Sequence, residues 1–145
     1  MSILTELPKW SIPNNVLFSL PTHVQINDLE SFIAYKLPDS YKDYLLNYSN
    51  LSIGTFELFS LIPDEFSFDI YQGIQEAREI GLPIQLFPFL YDNDYYYCFN
   101  LQSSDIQDYE VVVWNNGLTG EKWLNFLEWV EKCWLYETKQ QQSIQ

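Results

Sequence analysis

Apolar residues Ile26, Leu29 and Ile33 recur at helical spacing, with Asp28 and Glu30 beside them, and predict a short first helix near residues 27–35. Leu37-Pro38 ends that pattern and prepares the next, because proline suits the first turn of a helix and Asp39 and Ser40 can serve its unpaired amides. Tyr41, Tyr44, Leu45 and Tyr48 then fall on one face of a second helix, near residues 39–48. From Phe56 to Ile62 the residues are aromatic and branched between Gly54 and Pro63, which predicts a strand. Ile70, Ile74 and Ala77 share a face of a helix starting at about Asp69, and Gly81 with Leu82-Pro83 supplies its stop.

Three strands are expected next, over 84–90, 95–101 and 109–114. Tyr91-Asp92-Asn93-Asp94 forms a hairpin turn between the first two, and Asn116-Gly117 marks a later turn. Alternation along the second strand puts Tyr95, Tyr97, Phe99 and Leu101 toward a core and turns Tyr96, Cys98 and Asn100 to the other side, which makes Tyr96 the tyrosine available to a partner. Trp123, Phe126, Leu127, Val130 and Trp134 trace a stripe on a terminal helix near residues 121–136. Residues 139–145 are almost all polar and read as a disordered tail, leaving 1–138 as one domain. Helices first, strands grouped in the middle and a helix last is an α+β order, expected as a mainly antiparallel sheet with helices on one face.

Composition and charge narrow what such a domain can do. The 145-residue chain is 47% hydrophobic and 18% aromatic, far from the signature of disordered chains. Seven basic against twenty acidic residues leave a net charge of −13, a sign that repels phosphate backbones and anionic lipid, so neither nucleic acid nor membrane is an expected partner. Two cysteines, Cys98 and Cys133, and a single histidine, His23, make neither a zinc site nor a disulfide framework. The start carries no basic, apolar export pattern and no stretch is long enough to span a bilayer, so the expected compartment is the cytoplasm, with both thiols reduced.

Leu29-Glu30, Leu37-Pro38, Tyr41-Lys42 and Leu45, at this spacing, resemble the motif of the SUKH superfamily, which includes fungal cell-wall-synthesis regulators and many bacterial immunity proteins. Leu86-Phe87-Pro88-Phe89, the acidic turn at Asp92 and Asp94, the strand through Cys98, the segment 109–114 and Trp123-Leu124 with Phe126-Leu127 keep the family's order, from about residue 26 to about residue 134. The chain has Ser49-Asn50-Leu51 where the family usually has Asn-Gly-Gly, and Asp92-Asn93-Asp94 where its hairpin turn is glycine-rich. Asparagine tolerates the left-handed conformation such turns need. The resemblance implies a SUKH-like α+β fold and a binding scaffold, not an enzyme: an immunity protein that neutralises a cognate toxin by direct contact, or alternatively a regulatory module like the glucan-synthesis regulators.

The residues add a clue of their own. From Asp43 to Glu121 there are thirteen acidic residues and one basic residue, Arg78, so this segment carries −12 of the −13. An acidic face beside tyrosines steers a basic partner and offers it aromatic anchors. The candidate partner-binding residues are therefore Asp64, Glu65, Asp69, Asp92, Asp94, Tyr96, Asp105, Asp108 and Glu110, and the expected partner is a basic protein toxin. A calcium loop at Asp92 to Asp94 lacks its glycine and its later glutamate, no phosphate-binding loop or dinucleotide fingerprint occurs, and no cofactor or metal is expected. Paired carboxylates in a hydrolase are a third reading, without a spacing that defines them.

Overall fold

The computed structural model describes residues 2–11, 19–62, 68–103 and 108–144. A 3-10 segment, Ile3–Trp10, precedes helices α1 (His23–Ile33), α2 (Asp39–Asn47) and α3 (Ile70–Glu79). Strands β1 (Leu86–Asp92), β2 (Tyr95–Asn100), β3 (Val111–Trp114) and β4 (Leu118–Trp123) then form one antiparallel sheet in the order β1-β2-β3-β4. The chain closes with α4 (Phe126–Trp129), a π-helical turn over Val130–Leu135 and α5 (Tyr136–Ile144). This is the expected α+β arrangement, with several element boundaries moved and some local expectations replaced.

Helix α1 starts at His23, earlier than apolar spacing places it, because Thr22 caps it: the Gln25 amide donates to Thr22 Oγ1 while Gln25 Oε1 accepts the Thr22 amide. Asp92 closes β1, so the hairpin turn shrinks to Asn93-Asp94, both at positive φ (49° and 73°). Two such residues match the twist of the flanking strands.

Segment 56–62 is not a strand of the sheet. It runs beside β1, donating one amide hydrogen bond from Phe59 to the Phe89 carbonyl at 2.9 Å, and bridges Asp69 through Ser60. Its aromatic character serves burial instead, because Phe59 presses its ring on Gly73 of α3. The terminal helix also begins later than its apolar stripe suggests. Residues 118–123 are drawn into the sheet, and Asn125 caps the helix by accepting the Glu128 amide at 2.9 Å. Phe126, Val130 and Trp134 are buried as read, Trp123 and Leu127 are half-buried, and Trp129 and Leu135 join the core. The π turn resets the helical phase between them. Beyond it, α5 carries the chain as helix to Ile144, through most of the stretch read as a tail.

Helices cover the sheet on both faces, not one. Tyr97 and Phe99 of β2 meet Trp129 and Phe126 of α4, and Phe99 also meets Tyr41 of α2, with ring centroids 5.0 to 5.8 Å apart. On the opposite face α3 lies against β1, with Glu76 near Tyr96 and Arg78 near Cys98. Tyr96 is therefore 5% exposed, and the expectation that it is open to a partner is overturned. Tyr95, assigned to the core by alternation, is 40% exposed because it sits at the strand end beside the turn.

The family-like motif has a physical basis at Glu30. Its buried carboxylate accepts the Leu37 amide at 2.6 Å and lies 3.7 Å from Lys36 Nζ and 3.6 Å from Lys42 Nζ, tying α1 to the Leu37-Pro38 link and to α2. A buried carboxylate requires such partners.

Phe126 touches Tyr41, Tyr44, Phe89, Phe99 and Trp129 and is fully buried, so Phe126→Ala is expected to lose about 3 to 5 kcal/mol in chemical denaturation. Tyr41 is equally buried, but its hydroxyl has no hydrogen-bond partner among the described residues. Tyr41→Phe removes only that burdened oxygen and is expected to change stability by less than about 1 kcal/mol or to raise it. Gly73→Ala tests the close approach of α3. Alanine favours an exposed helix by about 1 kcal/mol, but a Cβ here meets the Phe59 ring at 2.6 Å, so the variant is expected to lose stability.

Candidate functional site

The structure divides the sequence-predicted binding residues. Asp64, Glu65 and Asp105 lie outside the described residues. Asp69 is the N-cap of α3, accepting the Tyr71 amide at 3.1 Å. Asp92 and Asp94 stand at the β1–β2 turn, where Asp94 accepts the Tyr91 hydroxyl at 2.8 Å, a bond that helps raise the Tyr91 pKa. Asp108 accepts the Asn125 side-chain amide at 3.2 Å, and Glu110 accepts that of Asn100 at 3.0 Å. Asn100 is the far end of the strand that starts opposite Asp92. Five residue steps at about 3.4 Å each put roughly 17 Å between the Asp92–Asp94 and Asp108–Glu110 groups. They do not form one patch.

A different set of residues converges on the face of the sheet that carries Tyr97. Tyr97 is half-buried between Trp123 of β4, Trp129 of α4 and Phe56, and Cys133 of the π turn lies close enough to act on it electrostatically. Around this pair stand three carboxylates from three elements, Asp92 of β1, Glu121 of β4 and Glu137 of α5, with exposed Tyr95 next to Asp92 in the strand pairing. Each has a local reason to be there. Glu121 sits in a bulge of β4, where three residues oppose Val113, and Glu137 is in the first turn of α5, one residue past Tyr136, the C-cap of the π turn.

Burial first, then Cys133, Glu121, Asp92 and Glu137, hold the Tyr97 hydroxyl well above the usual tyrosine range. The Cys133 thiol is pushed up to about 12, mainly by burial and then by Glu137 and Glu121, with Asp92 adding to it and the Trp129 indole opposing. No cation acts on either group among the described residues, so the local potential is of one sign. A thiol so placed is a poor nucleophile, and no cluster able to hold a metal ion occurs among the described residues. What remains is a negatively charged, tyrosine- and tryptophan-bearing surface.

Asp92 was legible as part of this surface. Glu137 lies outside the acidic segment, and Glu121 looks like a helix residue until β4 forms, so only the bulge and the π turn bring them together.

The fold is that of an α+β domain with an acidic, aromatic-bearing face on one side of its sheet. The SUKH_5 family model, described as SMI1-KNR4 cell-wall, matches residues 2–135, and the chain belongs to that family. A crystal structure of a protein from Pseudomonas syringae pv. tomato has the same fold, with a TM-score of 0.77 and 25% sequence identity over 92% of this chain and 96% of that one. None of the curated proteins compared with the chain matches it. No helix among the described residues is long and apolar enough to cross a membrane.

Cys133 reports the potential of the surface. At about pH 8 it is expected to alkylate far more slowly than an ordinary thiol. Glu137→Gln and Glu121→Gln remove charges that disfavour the thiolate, so each is expected to speed labelling, since a pKa lower by roughly 0.3 already doubles the thiolate. Peptide mapping after timed labelling separates Cys133 from Cys98, whose thiol is buried and also raised.

Proposed function

We propose that this protein is a non-enzymatic, cytoplasmic immunity protein that neutralises a cognate protein toxin by binding it through its acidic, tyrosine-bearing surface. The observation that carries this reading is the convergence of Asp92, Glu121 and Glu137 on Tyr97 and Cys133 with no cation acting there, beside exposed Tyr95. A field of one sign attracts an oppositely charged partner from a distance, and half-buried aromatics give the docked partner something to pack on. The toxin is accordingly basic on its docking face. A thiol raised by burial is a poor nucleophile, which favours contact over catalysis. The family description, SMI1-KNR4 cell-wall, favours a second reading in which the same surface serves a regulatory contact in wall synthesis.

The immunity reading is tested with the toxin specified beside the gene, against which the protein is expected to protect cells and to form a direct complex. Association is expected to slow between about 0.1 M and about 1 M salt, as the screening length shortens from about 10 Å to about 3 Å. Replacing Asp92, Glu121 and Glu137 together by lysine is expected to slow association roughly tenfold or more at low salt. Glu121 and Glu137 are exposed and Asp92 is half-buried at a strand end, without a salt bridge among the described residues, so the fold is expected to persist. Equal rates for the variant and the parent, or a toxin whose docking face is acidic, refute the charge-steered reading. A gene with no toxin beside it and a wall-synthesis partner points to the regulatory one.

A further inference from the structure

A second surface lies across the sheet from Tyr97, where α3 covers the Tyr96 face. Val24, Asp28 and Phe32 recur every four residues along the outside of α1, and Val24 and Phe32 are 66% and 62% exposed. Phe32 meets Tyr71 of α3 edge to face, with ring centroids 5.2 Å apart and planes at 78°. That geometry uses one ring's edge and one face of the other, leaving most of the ring faces outside the pair.

The aromatic pair opens on a shallow groove along α3 whose rim is acidic: Asp69, Glu76 and Glu79 line it, and Asp28 lies close enough to Tyr71 to act on its hydroxyl together with Asp69. Neither Asp28 nor Asp69 makes an ion pair among the described residues. Arg78, the cation of the groove, is turned to the α3–β1 link, donating to the carbonyls of Leu82, Pro83 and Ile84 at 3.4, 2.9 and 3.4 Å. The groove therefore combines the exposed ring of Phe32 and the half-buried ring of Tyr71 with carboxylates, Asp28 and Asp69, that make no ion pair among the described residues.

We infer that the Phe32–Tyr71 pair, between Asp28 and Asp69, is a receptor for an arginine side chain presented by a basic partner protein. A guanidinium stacks on an aromatic face and pairs bidentately with a carboxylate, which a compact ammonium does not do. The inference does not depend on the toxin reading, because this groove faces away from the Tyr97 surface and is tested without a toxin.

The probe is a capped hexapeptide of alternating arginine and glycine, titrated at low salt into the full chain and followed by backbone amide NMR, with the alternating lysine–glycine peptide as comparison. Amide shifts are expected to centre on Phe32, Tyr71 and Asp69, and the lysine peptide is expected to bind more weakly. Phe32→Leu keeps an apolar side chain at an exposed position and removes the ring. It and Asp28→Asn are each expected to weaken binding about three- to fivefold. Shifts confined to Asp92, Glu121 and Glu137, or undiminished binding by both variants, overturn this site. The first of those outcomes leaves the proposed function standing, whereas a protein that binds the arginine peptide here but no toxin retains this site and loses that function.

Discussion

The packing of Phe126 against the sheet is the constraint on which the rest of the structure rests. Its ring meets Phe89 of β1, Phe99 of β2, Tyr41 and Tyr44 of α2 and Trp129 of its own helix. Aromatic rings carry more apolar area than any other side chains and prefer tilted, edge-on neighbours. A cluster of them therefore fixes orientation as well as distance. Once α4 is seated there, the chain before it must come from β4 and the chain after it must turn within a few residues. The π turn at Val130–Leu135 is where that second demand is met, and Trp134 anchors it by donating to the Ile53 carbonyl at 3.0 Å.

Gly54, next in the chain, is at φ 62° and lies so close to Thr138 of α5 that a Cβ would collide with its hydroxyl. Thr138 in turn donates to the Trp134 carbonyl at 2.8 Å, satisfying a backbone group near the wide turn. This chain of contacts settles where Cys133 and Glu137 stand. The negative surface around Tyr97 is thus a by-product of core packing, positioned by residues buried beneath it.

The distribution of cations explains why both acidic surfaces stay negative. Lys36 and Lys42 serve the buried Glu30 carboxylate, and Lys132 pairs with Glu128 at 2.8 Å. Arg78 serves backbone carbonyls, and Lys139 lies over the Trp10 ring at 5.5 Å. With only seven basic residues in the chain, most are engaged in holding elements together. The carboxylates of Asp28, Asp69, Asp92, Glu121 and Glu137 have no salt-bridge partner among the described residues.

Local chemistry by itself determined the elements whose signals are short-ranged: α2 after Leu37-Pro38, α3 between Asp69 and Gly81, the Asn93-Asp94 hairpin, and the family-like spacing from Glu30 to Lys42. Each depends on caps, turn residues or neighbours within one or two helical turns. Tertiary structure decided what depends on partners distant in the chain. Residues 118–123 became a strand because β3 was there to pair with, and 56–62 did not because Phe59 found Gly73. Tyr96 was buried because α3 covers the second face of the sheet, something no alternation within β2 can reveal. The site divided the same way: the charge was visible as a run of carboxylates, but which of them share a surface was set by a bulge in β4 and a widened helical turn. Charge is a property of composition, whereas proximity between Asp92, Glu121 and Glu137 exists only once the backbone has been folded around its aromatic core.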